Sequence, residues 1–329
     1  KAVRIGQWVT NNYTTMPGGD LRALAFIPLN HIFGFMANVG FNFFCGGSLV
    51  TVPVPTPDTL LDAIEKYQPA TFPTVPAMII AMLNHPRFKE ADISCFKGGV
   101  FSGGSPLPVE VMKSFEEQAH CRIVEGFGMS ESCQQVCANS GHHTRKVGSV
   151  GVPYPDTDVL IVDDKEGTTI MPVGEPGELI WRGPQMMREY WNNPEETVMT
   201  IRDGWLYTGD IARMDEDGFF FIVDRKKDMI ICSGFNVFPR DIDEVCYAMP
   251  EVLDACTVGI PDPKRGETPK VFIVLKEGAT LTAEEVIARC RENLAPYKVP
   301  TEVEFLQDLP RTLAGKADRK AMKAMAVKK

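Results

Sequence analysis

The 329 residues carry 34 Lys and Arg against 43 Asp and Glu, a net charge of −9, with 44% hydrophobic and 23% charged side chains. That length exceeds what one compact core usually holds, so two or more units are expected, and the acidic balance argues against nucleic acid as the main partner, because phosphate backbones demand a basic footprint. Nine cysteines without a framework spacing fit a reducing cytosol better than secretion, and the most apolar run, "TFPTVPAMIIAML", is broken by Pro73 and Pro76 and too short to span a bilayer.

The chain opens on Lys1, without an initiator methionine, which reads as a processed product or a cut chain. Residues 20 to 125 alternate short apolar runs with helical patterns, the rhythm of an α/β sheet. "LRALAFIPL" and "GGSLVTVP" read as strands, and "DTLLDAIEKYQ" as a helix capped by Asp58. "ATFPTVP", "GGVFSGG", the helix "LPVEVMKSFEEQAH" and "CRIVEGFG" continue the series. From about 148 to 223 the texture becomes strands separated by Gly, Pro and Asp turns, as in a small β-barrel or sandwich.

After "DRKKD" the pattern changes again. "RDIDEVCYAM" is an expected helix, and "ACTVGIP", "KVFIVLK" and "TEVEFL" are expected strands. "TAEEVIARCREN" is a helix whose Thr282 and Glu285 form a capping box. The expected division is residues 1–223, a hinge at 224–228, and a compact α+β unit at 229–329. The basic run after Pro310 reads as a solvated terminal helix.

Three segments carry chemistry. In "CRIVEGFGMSES" a strand ends in Gly126-Phe127-Gly128, and Ser130 and Glu131 are expected to open a helix, whose N-terminus favours phosphate. Glu131 stands where a dinucleotide fingerprint needs a third glycine; an acidic group facing phosphate makes sense if it holds Mg²⁺, and Phe127 offers a flat surface for a base. A capped helix with a core aromatic explains the same residues equally well. In "DGWLYTGDIARM", Asp210 is placed at a glycine turn, able either to accept from ribose hydroxyls or to make an Asx-turn. "FIVDRKKDMIICSGFNVFP" is the only covalent link between the expected units, so a hinge competes with a solvated turn.

Cys133 and Cys137, four apart in an expected helix, could join His142 and His143 around zinc, but zinc knuckles favour tighter turns and structural thiols are the preferred reading. Gly315-Lys316 in "RTLAGKADRK" is not a phosphate loop of the G-x-x-x-x-G-K-[ST] kind, because Pro310 and Ala317 stand where glycine and a hydroxyl residue are needed.

Together, "PLNHIFG", "EGFGMSE", "WLYTGD", "DRKKDMIICSGFNVFP" and "GKADRK" resemble the adenylate-forming superfamily of acyl-CoA synthetases, most closely the bacterial long-chain fatty acid–CoA ligases. The resemblance runs nearly end to end. It implies an α/β fold with part of a large N-terminal domain, including a small β-barrel at about 148–223, followed by a mobile α+β C-terminal domain. It also implies activation of a carboxylic acid, fatty or aromatic, by Mg-ATP to an acyl adenylate, then displacement of AMP by the thiol of coenzyme A.

By the same resemblance, Gly104, Ser105, Pro106 and Glu125, Gly126, Phe127 and Gly128 would frame the adenine. Ser130 would touch phosphate, Glu131 would ligate Mg²⁺, and Asp210 with Arg225 would hold the ribose. Lys316 would be a cation inserted during adenylation, bridging the carboxylate and the α-phosphate. Lys227 would be the hinge, with Ser233 and Gly234 lining the pantetheine path and His31 near the acyl and thiol entrance. Ser at 130 and Phe at 127 are mild departures from the family's usual Thr and frequent Tyr.

One departure is larger. No segment matches the family's Ser/Thr/Gly-rich phosphate loop upstream of "PLNHIFG"; "YTTMPGGD" lacks the lysine and the glycine density. The first part of the large domain is therefore expected to lie outside this chain, which alone is expected to be impaired in turnover. An acyl-AMP ligase feeding a carrier-protein thiol and a non-catalytic AMP-binding module are the competing readings. A cytoplasmic location is expected, with peripheral attachment to the inner face of a membrane left open, as is the oligomeric state.

Overall fold

The computed structural model describes residues 21–141, 144–312 and 316–327. "YTTMPGGD", His142, His143 and Gly315 therefore lie outside the described residues. The chain forms two compact units, one of Lys1–Thr208 with Ala212–Ile222, the other of Gly209–Ile211 with Val223–Lys329.

The first unit is built on a seven-stranded sheet in the order β2-β1-β3-β4-β5-β6-β7. Its strands are β1 (Arg22–Ala25), β2 (Ser48–Thr51), β3 (Thr71–Thr74), β4 (Gly99–Ser102), β5 (Ile123–Phe127), β6 (Cys137–Ala138) and β7 (Val152–Pro153). The first five are parallel and the last two antiparallel. Helices α1 (Pro57–Tyr67), α2 (Pro76–Leu83) and α3 (Val109–Ala119) contribute to its core. On α1, Leu60, Leu61 and Ile64 fall on one face and are fully buried, each contributing about 1.5–3 kcal/mol of transfer free energy.

Helix α1 is capped by Thr56, not by Asp58. Thr56 is extended (φ −129°), and its hydroxyl accepts the Thr59 N–H at 3.2 Å. Asp58 lies inside the first turn, where a negative charge complements the helix dipole, and it pairs with Arg87 at 2.9 Å.

The expected helix from Ser130 is a single 3₁₀ turn, Ser130–Ser132. The Ser132 hydroxyl accepts the Met129 N–H at 3.0 Å and donates to the Met129 carbonyl at 2.9 Å, a local alternative to helix bonds. Cys133 (φ 51°) and Gln134 (φ 92°) then reverse the chain into β6. Cys133 and Cys137 thus share no helix: one is exposed, the other buried in a strand.

A second sheet has the order β10-β11-β9-β8, with β12 on β11. Its strands are β8 (Asp158–Val162), β9 (Gly177–Arg182), β10 (Ile201–Arg202), β11 (Trp205–Met214) and β12 (Phe220–Arg225); the short α4 (Pro194–Thr200) precedes β10. Trp181, Leu206, Ala212 and Phe220 form its core with Val136 and Leu179. Strand β11 runs ten residues unbroken, so Asp210 stands within a strand and not at a turn.

The second unit's sheet has the order β14-β13-β16-β15, with β17 on β16. These are β13 (Ile230–Cys232), β14 (Phe235–Val237), β15 (Val252–Asp262), β16 (Gly266–Leu275) and β17 (Glu302–Leu306). Alternate residues serve opposite faces, as a strand's period of two requires. Val271 and Ile273 join α5 (Pro239–Tyr247) and α6 (Ala283–Asn293), while Phe272 and Val274 meet Met322 of α7 (Arg319–Val327). The last helix is therefore not simply solvated: Met322 is fully buried. The capping box of α6 forms as expected, with the Glu285 N–H on the Thr282 hydroxyl at 3.3 Å and the Thr282 N–H on the Glu285 carboxylate at 2.8 Å.

Candidate active site

In the first unit the candidate residues read from the sequence follow the carboxyl ends of β4 and β5, the edge at which open α/β sheets bind ligands. After β4 the chain runs through Gly103 to Pro106, with Gly104 at φ +84°, a conformation that disfavours a side chain. The Leu107 N–H donates to Glu125 Oε1 on neighbouring β5 at 3.1 Å. That bond ties the Gly104–Ser105–Pro106 segment to Glu125, which is 6% exposed.

Gly126 is exposed, and the half-buried Phe127 ring packs against the Val136–Trp181 core. A Cβ on Gly128 would lie 1.2 Å from the Gln134 carbonyl oxygen. That glycine is demanded by the chain's own reversal, whatever else it faces. Ser130 is exposed and Glu131 half-buried.

Glu131 is gripped from a loop distant in sequence. Its Oε1 accepts the Tyr190 hydroxyl at 2.7 Å, and its backbone carbonyl accepts the Met187 N–H at 2.7 Å. Burial, then the facing carboxylate, pushes the Tyr190 hydroxyl up to about 12, so it remains a donor at neutral pH. Sequence reading missed Tyr190, because "MREYWNNPEET" carries no local spacing that points back to Glu131.

His31 caps the helical turn Ile32–Gly34, its Nδ1 accepting the Phe33 N–H at 3.2 Å. The neutral ring then carries its proton on Nε2. A Cβ on Gly103 would stand 3.2 Å from the Phe33 ring, so the turn that begins at His31 adjoins the Gly103–Pro106 segment.

The second unit collects a different set. Arg225 Nε lies 3.7 Å from Asp210 Oδ1, with Asp210 14% exposed. Lys316 belongs to a small ladder in which the Thr312 N–H donates to its carbonyl at 2.8 Å and Arg311 bridges to Ala317. Burial and then the neighbouring Arg225 guanidinium lower the Lys316 pKa, and Asp210 opposes them. Arg225 and Asp210 are thus the charged groups that act on Lys316, with opposite signs.

Lys227 is exposed in the 3₁₀ turn Lys226–Asp228. Ser233 (φ 53°) and Gly234 (φ +82°) form the two-residue turn between β13 and β14 and are exposed; positive φ at both positions suits a tight hairpin. Among the described residues, no group of three or more His, Cys, Asp or Glu could hold a metal ion by itself.

Residues 3–191 match the AMP-binding enzyme family, and residues 241–316 match the AMP-binding enzyme C-terminal domain. The chain belongs to the AMP-binding, adenylate-forming enzymes. This AMP-binding chain is similar to a long-chain-fatty-acid–CoA ligase of Bacillus subtilis (strain 168), 42% identical over 92% of this chain and 54% of that protein. It is 36% identical to a feruloyl-CoA synthase of Amycolatopsis sp, over 90% of this chain and 60% of that protein. Among solved structures, the anthranilate CoA ligase AuaEII in complex with anthranoyl-AMP matches with a TM-score of 0.91 and 28% identity, over 99% of this chain and 63% of that one. The AMP-binding chain thus spans about half the length of the curated relatives it matches.

Proposed function

We propose that the protein carrying this chain activates a carboxylic acid with ATP to an acyl adenylate and transfers the acyl group to coenzyme A. The observation that carries this reading is the trio Lys316, Arg225 and Asp210, two cations and one carboxylate brought together in the second unit. The identity to fatty-acid CoA ligases adds to it. Asp210 accepts from the ribose hydroxyls and Arg225 steadies it. Lys316 bridges the attacking carboxylate and the α-phosphate, stabilising charge that develops on phosphorus.

In the first unit, Gly104, Ser105, Pro106, Glu125, Gly126, Phe127 and Gly128 frame the adenine, Ser130 touches phosphate, and His31 stands at the acyl and thiol entrance. Mg²⁺ fits Glu131: a single carboxylate, oriented by Tyr190, suits an ion that completes its shell with nucleotide phosphates and water. When bound, that ion neutralises phosphate charge. We place the hinge at 224–228, with Lys227 as pivot between a large domain ending at 223 and a small one beginning at 229, and Ser233 and Gly234 on the pantetheine path.

The acid is a fatty one by similarity to the long-chain ligases, with an aromatic acid as the variant that the feruloyl relative suggests. The test is pyrophosphate release and thioester formation over a panel of fatty and aromatic acids, with and without coenzyme A. It is run on this chain and on the protein extended to the length of its relatives. Acid-dependent pyrophosphate with CoA-dependent thioester supports the ligase. Pyrophosphate with no thioester on free CoA points to a carrier-protein acceptor, and AMP binding without pyrophosphate from either protein overturns the ligase reading.

A further inference from the structure

Arg319 opens α7, three residues beyond Lys316, and its side chain is 27% exposed. Its Nη1 lies 3.2 Å from Asp224 Oδ1 and 3.9 Å from Asp228 Oδ2, and its Nη2 lies 2.9 Å from Asp243 Oδ2 on α5. Asp224 is 3% exposed and makes further bonds, accepting the Arg225 N–H at 2.7 Å and the Arg240 N–H at 3.0 Å. One guanidinium therefore joins the start of α7 to the residue immediately before Arg225.

The position of this bridge along the chain matters more than its strength. Asp224 precedes Lys227 and Arg319 follows it, so a turn of the backbone at Lys227 large enough to exchange one half-reaction for the other must part them. The bridge also sets the spacing between Arg225 and the Lys316 ladder, because each neighbours one of its ends. We propose that Arg319 is a positioning residue for adenylation: its bridge to Asp224 across Lys227 holds Lys316 beside Arg225 and Asp210, and it opens before thioester formation. This rests on the ligase reading and on Lys227 as the pivot.

Two arms test it, in Arg319→Gln, Asp224→Asn and the double variant, with Arg319→Lys to retain the charge. In the first arm, trypsin cleavage after Arg225, Lys226 and Lys227 is timed against cleavage after Lys264, an exposed residue of the same unit. Cleavage in 225–227 should quicken about tenfold in each single variant and no further in the double, with cleavage after Lys264 unchanged. In the second arm, the extended protein's adenylation kcat should fall about tenfold or more with the KM for ATP little moved. Thioester formation from supplied acyl adenylate should be retained, and Arg319→Lys should recover part of the loss.

Equal quickening at both tryptic sites, or equal loss in both half-reactions, would show a merely structural ion pair and overturn the proposal. No change in either arm would overturn it as well. If the unaltered protein makes no adenylate, the ligase reading fails, while the tryptic arm still decides whether the bridge restrains the segment.

Discussion

Lys316 and Glu131 are expected to fail differently when altered. Lys316→Ala should lose adenylation by on the order of 10²–10³, as when one preorganised charge-stabilising group is removed, while supplied acyl adenylate still reacts with coenzyme A. Assaying the two half-reactions separately checks this, and equal loss in both contradicts a role confined to adenylation. Tyr190→Phe removes only the hydroxyl that holds Glu131. The Mg²⁺ concentration for half-maximal activity should rise about 10-fold or more, with the maximum rate recovered at saturating metal. Loss at every Mg²⁺ concentration would place Tyr190 elsewhere in the chemistry. Glu131 stands out in the sequence because it departs from a glycine fingerprint inside a strand–turn motif. Tyr190 was not, since it reaches Glu131 from 59 positions away and only the packed sheet brings them together.

At the scale of elements, the helices were legible from one buried face, as in α1, whereas strands such as β3, β9 and β16 are buried on both faces and showed as short apolar runs between turn residues. Side-chain competition for backbone bonds was harder to read. Asp58 and Thr56 are both good caps by type, and only the extended backbone at Thr56 separates them. The turn at Ser130 has the residue types of a helix start, but the Ser132 hydroxyl bonds both the N–H and the carbonyl of Met129 and ends it after one turn. The capping box of α6 was legible because its two partners lie three residues apart. Thr282→Ala should therefore cost about 1 kcal/mol, lowering the small unit's melting temperature by roughly 4–8 °C. Thermal denaturation followed by circular dichroism checks it, and a change below 1 °C would show the cap to be idle.

For the molecule as a whole, the buried charges around Arg319 tie stability to pH. Asp243 is pushed up to about 7, chiefly by burial, which outweighs the pull of Arg319. Asp224 beside it competes for the same guanidinium, so one carboxylate gains less from the pairing than it loses in hydration. A raised acid favours the folded state while protonated. Its contribution is fully present below its ordinary value of 3.8 and is lost as pH rises through about 7. The small unit of Asp243→Asn should accordingly lose less melting temperature between pH 5 and pH 8 than the unaltered chain; identical slopes would remove Asp243 as the cause. None of this was legible in "DRKK" or "DIDEV", because ion pairs between Arg319 and residues as far back as Asp224 are set by tertiary packing alone.

Cys133 has a practical use that follows from where the chain turns. It is the exposed cysteine among the described thiols, whereas Cys137, Cys232, Cys246, Cys256 and Cys290 are buried, and burial raises the pKa of thiols such as Cys121, to about 12, and so slows their alkylation. A maleimide fluorophore added briefly at neutral pH should label Cys133 first, two residues from Glu131, with no engineered cysteine. On the proposed role of Glu131, its emission would change on addition of nucleotide and Mg²⁺, before any product is formed.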